Sequence, residues 1–259
     1  MNVQKHLFAL GLAAVIASPA MAADDIMPPV ADSPFSITGN AALTTEYFFR
    51  GVSQSNDSPA VSAGLNANYK FSDMITATAG VWSSSIDNGT GNGNVEVDYI
   101  LGVAFVPSAL PDLTLNAGST WYTYPGSNNG TNNANANEPD FWEASVGAAY
   151  NWGLFSTAVM YAYSPDFNLN SGTGKYINGK VVVPVPFVDL SAAIGKQYVE
   201  KNATWGNKDI VDYKFAAAAK VYGLDLELAY IDTNTDRAFP SGITQASDGQ
   251  FIFTVTKNF

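Results

Sequence analysis

Cysteine is absent from the 259 residues. That excludes a disulfide scaffold, a thiolate metal site and a cysteine nucleophile. The chain has one histidine, His6. Charge is scarce too: 14% of residues are charged, against roughly 25% in a soluble domain. Bases are the scarcer sign, 12 against 23 acids, for a net charge of −11. This excludes the basic patch that nucleic acid needs. No apolar run reaches the roughly 20 residues of a membrane-spanning helix.

The longest apolar run, Leu7 to Ala17, follows Lys5 and precedes Ala20-Met21-Ala22. A charged start, a short apolar core and a small-residue site describe a secretory signal peptide over 1–22. Cleavage after Ala22 removes His6, so the mature chain has neither imidazole nor thiol. Ser-His-Asp hydrolysis then lacks its base, and zinc lacks its usual ligands. We expect no catalytic residues, no metal and no cofactor. Residues 23–35 are acidic and proline-rich and read as an extended periplasmic tail.

Glycine and aromatics are plentiful: 22 Gly and 13% Phe, Trp and Tyr. From Ser36 onward, apolar and polar residues alternate with period 2. Val95, Val97, Tyr99, Leu101, Val103 and Phe105 oppose Asn94, Glu96 and Asp98. Such alternation marks a strand with one apolar and one polar face. Twelve segments show it: 36–50, 59–71, 74–84, 94–106, 112–124, 140–152, 154–164, 175–185, 187–198, 209–221, 224–232 and 249–259. They exceed soluble strands of about 5–6 residues and suit a tilted membrane crossing of about 9–11. Asn178-Gly179 has hairpin-turn chemistry, but Tyr176, Asn178 and Lys180 continue one polar face, so we keep it within a strand.

Short connections (Ser72-Asp73, Gly153, Tyr222-Gly223) alternate with long polar ones (51–58, 85–93, 125–139, 165–174, 199–208 and 233–248). Short turns at one end and long loops at the other predict an all-β transmembrane antiparallel up-and-down barrel over 36–259. Tyr47, Phe49, Tyr69, Phe71, Phe105, Trp121, Trp152, Tyr161 and Tyr163 suit interfacial girdles. Phe251, Phe253, Val255 and Phe259 share the last strand's apolar face and resemble the signal read by the barrel-assembly machinery. Lys257 departs from that pattern.

The run Gly39-Asn40-Ala41-Ala42-Leu43-Thr44-Thr45-Glu46-Tyr47-Phe48-Phe49-Arg50-Gly51-Val52-Ser53-Gln54-Ser55 resembles the opening of the TorF-type porins, also known as the Gcw-chp family of proteobacterial outer-membrane proteins. Shorter matching stretches are Glu96 to Tyr99, Trp121 to Gly126 and Tyr163 to Phe167. The likeness spans essentially the whole mature chain. It implies an outer-membrane barrel with a pore role and names no solute.

Twelve strands at about 40° tilt enclose a backbone tube roughly 24 Å wide, which side chains narrow to about 10 Å or less. Strand parity aims Glu46, Arg50, Lys70, Glu96, Asp98 and Glu143 into the lumen in the first half. Lys180, Asp212, Lys214, Lys220, Asp225 and Glu227 follow in the second. Between Gly51 and Gly174 there are ten acids and one base, Lys70; from Lys175 onward there are nine of each. One arc is acidic and the other mixed, and such charges set ion preference. Glu96 and Asp98 as a glycosidase pair would lie roughly 7 Å apart along one strand; lining a lumen explains them better.

Asp232 to Asp236 copies the first positions of a calcium loop, but Arg237 replaces the required glycine. Gly172-Thr173-Gly174-Lys175 lacks the Ser/Thr and the helix of a phosphate loop. Residues 127–137, rich in Asn and Gly, read as a mobile loop or pore lid. The resulting expectation is a passive, cation-leaning channel for ions or small polar solutes. Its partners are outer-membrane lipid, lipopolysaccharide and the barrel-assembly machinery. The alternative is a closed structural, receptor or adhesin-type barrel, whose sign would be Phe48, Trp82, Tyr122 and Tyr124 filling the lumen.

Overall fold

The computed structural model describes residues 33–87, 93–127, 139–205, 208–234 and 249–259. The signal peptide and nearly all of the tail lie outside them, as do most of the 127–137 loop and the end of the calcium-like run. Twelve strands of the described residues close into one antiparallel barrel. They are β1 (Phe35–Thr44), β4 (Ala60–Lys70), β5 (Ile75–Ser85), β6 (Val95–Phe105), β7 (Leu113–Thr123), β8 (Phe141–Asn151), β9 (Ser156–Ser164), β10 (Gly174–Val185), β11 (Val188–Val199), β12 (Ile210–Val221), β13 (Leu224–Thr233) and β14 (Gln250–Asn258). A separate two-stranded ribbon pairs β2 (Phe48–Phe49) with β3 (Val52–Ser53).

Neighbours in the barrel are neighbours in sequence, except at the seam. There β14 pairs with β1, from Asn40 opposite Asn258 to Thr44 opposite Thr254. Phe259 extends this seam: its N–H donates to the Gly39 carbonyl at 3.0 Å, and its carbonyl accepts from the Gly39 N–H at 2.7 Å. Closure satisfies the ladder of every strand and leaves no edge, which a bilayer demands.

Side chains alternate as the sequence predicts. Leu65, Leu101, Val146, Ile177, Phe215, Leu228 and Phe251 lie exposed on the outer wall. Asn66, Glu96, Asp98, Glu143, Gln197 and Asp212 take the inner parity. An exposed apolar surface this extensive exceeds what a soluble monomer shows and marks a lipid-facing band. Tyr69, Phe71, Phe105, Trp121, Trp152, Tyr161 and Tyr163 are exposed toward strand ends, as girdle residues should be. The Tyr69 and Phe71 rings meet at 4.8 Å and those of Tyr99 and Trp121 at 6.0 Å.

Asn178-Gly179 stays within β10, opposite Gly195 and Ile194 of β11. Gly174-Lys175 simply opens β10. The first segment differs from expectation. The predicted strand 36–50 leaves the wall at Thr44, and residues 45–59 fold back into the lumen. Tyr47 is therefore buried and Phe49 half-buried; neither is a girdle residue. A run of 15 residues is too long for one tilted crossing, and the surplus becomes the ribbon.

Candidate functional site

The ribbon reverses direction at Arg50-Gly51, where φ is +50° and +75°. Two successive positive φ values make the two-residue turn that matches strand twist. Gly51 is required twice over. Its φ favours glycine, and a Cβ there would strike the Asp212 and Thr233 side chains. Arg50 has no such exemption and holds a left-handed backbone against a steric cost, about 1–2 kcal/mol. Strain of this kind persists where surrounding contacts over-determine it.

Those contacts come from the far side of the ring. Arg50 Nη1 donates to Glu143 Oε1 at 3.0 Å and to Gln197 Oε1 at 2.5 Å, while Nη2 donates to Glu143 Oε2 at 2.6 Å. The guanidinium lies 4.1 Å from the Tyr176 ring centre and 4.6 Å from that of Phe49. Arg50 and Glu143 side chains are only 2% and 1% exposed. This is a bidentate pair held between two aromatic faces, geometry that guanidinium provides and ammonium does not. Glu143, Tyr176 and Gln197 belong to β8, β10 and β11, opposite β1 and β4 in the ring. The ribbon thus spans the whole lumen.

Its base is tied down as well. The Tyr47 hydroxyl donates to Glu96 Oε1 at 3.0 Å, and the Tyr47 N–H donates to Ser55 Oγ at 2.9 Å. Glu46 accepts from the Ser53 hydroxyl and from the Asp57 N–H. Burial raises the Glu46 carboxyl above its ordinary range; the Ser53 and Asp57 bonds pull the other way. The Gln54 carbonyl accepts from the Asp87 N–H at 2.8 Å, linking the ribbon to the next long loop.

Aromatic packing fills the space around this beam. Tyr122 and Phe141 stack at 4.4 Å, Phe141 meets Phe167 edge-on at 4.7 Å, and Phe49 meets Tyr122 at 5.6 Å. Tyr47 packs on Trp82 at 5.5 Å. Gly174 must lack a Cβ because the Phe167 ring occupies that position.

Toward the short-turn end the lumen is walled largely by small side chains, many of them polar. A cavity of about 230 Å³ runs along the ribbon's underside. Its walls include Asn40, Ser62, Gly147, Ala158, Ser191, Ala193 and Thr254. A polar ladder, Thr78 to Asn68 at 2.8 Å and Asn68 to Thr38 at 3.3 Å, crosses three adjacent strands.

The structure distributes the predicted lumen charges over three levels. Glu46, Arg50, Glu96, Asp98 and Glu143 gather at the ribbon; Glu46 and Arg50 arrive there on the ribbon rather than on β1. Asp212 stands beneath its tip and accepts from the Tyr176 hydroxyl at 3.1 Å. Lys180, Lys214 and Glu227 line the cavity, with Lys214 donating to Glu227 at 2.7 Å. Asp225 is buried and accepts from Asn258 at 2.5 Å. Lys70 and Lys220 end up exposed near the short turns. Lys70 pairs with Asp73 at 2.8 Å with 56% of its side chain exposed, so it does not line the constriction.

Several lumen residues escaped the charge-based reading: Tyr47, Tyr176, Gln197 and Trp82 are polar or aromatic partners rather than charges. Phe251, Phe253 and Val255 lie on one parity of β14, and Phe259 follows its last residue. Among the described residues no cluster of three or more acid or imidazole groups could hold a metal ion.

Comparison with known proteins supports the architecture. The NanC porin superposes with a TM-score of 0.52 at 9% identity, over 85% of this chain and 97% of that one. An outer-membrane channel from Pseudomonas putida F1 gives 0.50 at 11% identity, over 91% and 97%. At such identities the likeness is one of fold. No curated protein matches by sequence. The family model described as a bacterial protein of unknown function, Gcw_chp, matches residues 29–259. With that match running from before β1 to the last residue of the seam, the chain belongs to the Gcw_chp family.

Proposed function

We propose that the protein is a porin-like channel of the outer membrane, of the TorF type, passing ions or small polar solutes downhill with no covalent chemistry. The observation that carries this reading is the lumen below the ribbon: a cavity walled largely by small side chains, many of them polar, beneath a constriction held by polar contacts. A barrel built only as a scaffold gains nothing from such walls, since apolar packing would fill them more stably. Arg50 pairs with Glu143 and Lys214 with Glu227, which leaves Glu46, Glu96 and Asp98 as carboxyls at the constriction without a basic partner. That set favours a modest cation preference. Residues 1–22 act as the export signal, cleaved after Ala22. The apolar outer face of β14 with terminal Phe259 serves the barrel-assembly machinery, and the long loops meet lipopolysaccharide.

The test is single-channel recording of the refolded 23–259 chain in a planar bilayer under a KCl gradient. Discrete conductance steps with a cation-biased reversal potential are expected. The ribbon and the aromatic packing of Tyr122, Phe141, Phe167 and Tyr124 also favour a second reading, a closed barrel acting as receptor or spacer. Silence from both the inserted wild type and a variant lacking the ribbon would establish that second reading and end the first.

A further inference from the structure

Lys180 is a half-buried cation of the lumen that makes no salt bridge among the described residues. It projects into the cavity from β10, and its register neighbours on both flanking strands are Ala158 and Ala193. Neither side chain can accept a hydrogen bond. Its charged neighbours are Lys214 and Glu227, and Glu227 is already bonded to Lys214. Two ammonium groups thus share one carboxylate, and among the described residues Lys180 makes no ion pair. Even half-buried, an ammonium loses part of its hydration, a loss that an anionic partner offsets.

The cavity wall carries further unmet bonding capacity. Trp82 Nε1, Asn116 Oδ1 and Thr256 Oγ1 are buried without a protein partner, and all three residues line the same cavity as Lys180. Thr256 is itself only 6% exposed. Size narrows the class: about 230 Å³ falls below the roughly 300–1,000 Å³ of drug-sized sites.

We propose that the cavity beneath the ribbon binds a small organic anion, with a carboxylate seated on the Lys180 ammonium beside Lys214. Arg50 is not this anchor, since Glu143 and Gln197 occupy its terminal nitrogens. The site does not depend on conduction, so its test stands apart from that of the channel reading.

The experiment is calorimetric titration of the refolded barrel in detergent, at fixed ionic strength, with sodium succinate and with neutral succinamide. Saturable succinate binding is expected, with succinamide weaker by about tenfold or more, the factor that one charge-assisted bond supplies. Lys180→Gln should lose that factor, Lys180→Arg should largely keep it, and Lys220→Gln at the exposed rim should change nothing. Ala193→Asp places a carboxylate beside Lys180 and should abolish binding in a barrel that keeps its lysine. Circular dichroism confirms folding of each variant. The absence of saturable binding, equal binding of the two probes, or undiminished binding by Lys180→Gln or Ala193→Asp would overturn the proposal.

Discussion

Two hairpins in this barrel turn on the same device. Tyr222-Gly223 joins β12 to β13 with φ values of +51° and +76°; Arg50-Gly51 joins β2 to β3 with +50° and +75°. The first turn sits in the open, with Tyr222 fully exposed. The second is buried at the far wall of the lumen. Local backbone chemistry is nearly identical, so it cannot explain the difference in destination. What differs is the arms. β12 and β13 pair over ten positions and reach the membrane-spanning wall. β2 and β3 pair over two, too few to stand alone. The short ribbon exists because the barrel interior gives Arg50 and Tyr47 partners.

Breaking the ribbon is the severest test of that contrast. Replacing residues 47–55 by a short Gly/Ser connection should raise conductance several-fold, because the beam across the lumen is gone while all twelve wall strands remain. Planar bilayer recording reads this directly. An unchanged conductance would mean that the ribbon does not set the constriction.

Removing only the anchor comes next. Arg50→Ala leaves Glu143 buried without its partner, a change that costs about 3–5 kcal/mol in comparable buried pairs. Protease cleavage within 45–59 should appear, and the urea midpoint should fall. Arg50→Lys should recover little, since an ammonium cannot bond both Glu143 oxygens and Gln197 in one plane.

The glycines sharpen the comparison further. Gly223→Ala meets only the left-handed backbone penalty, about 1–2 kcal/mol, as only the Lys257 ammonium stands nearby, at 3.8 Å. Gly51→Ala adds a collision with Asp212 and Thr233 and should cost distinctly more. Equal urea midpoints for the two variants would remove the claim that the ribbon tip packs tightly on the wall.

A smaller effect concerns pH. Burial raises the Glu46 carboxyl, so the folded ribbon binds that proton more tightly than the unfolded chain does. Stability from this group is then full below the unfolded value and declines as pH rises through the raised one. Glu46→Gln should flatten that decline in protease protection of the ribbon, and protection at neutral pH should rise. Least of all, Lys70→Gln should leave conductance and urea midpoint unmoved, since its pair with Asp73 is exposed.

Much of this was legible in the sequence, and the exceptions have physical causes. Period-2 alternation located eleven of the twelve wall strands to within two residues and overran the first by six; Glu96, Asp98, Glu143, Asp212 and Glu227 are buried on the inner parity of their strands. Parity misled at Lys70 and Lys220. It sets which face a side chain takes but not its depth, and a long flexible lysine near a strand end reaches water. Alternation also carried Tyr47 and Phe49 onto the lipid face, because a ribbon strand alternates just as a wall strand does. The excess length of 36–50 and the Arg-Gly pair inside it were the available signals.

The sequence by itself determined the barrel, the outer apolar band and the acidic excess, because strand period and composition are local quantities that survive any register. Tertiary structure alone decided that residues 45–59 turn inward, that Arg50 meets Glu143 and Gln197 across the ring, and that Lys180 faces a cavity between alanines. Those facts depend on which strands stand opposite once the sheet has closed, and closure is a property of all twelve strands together.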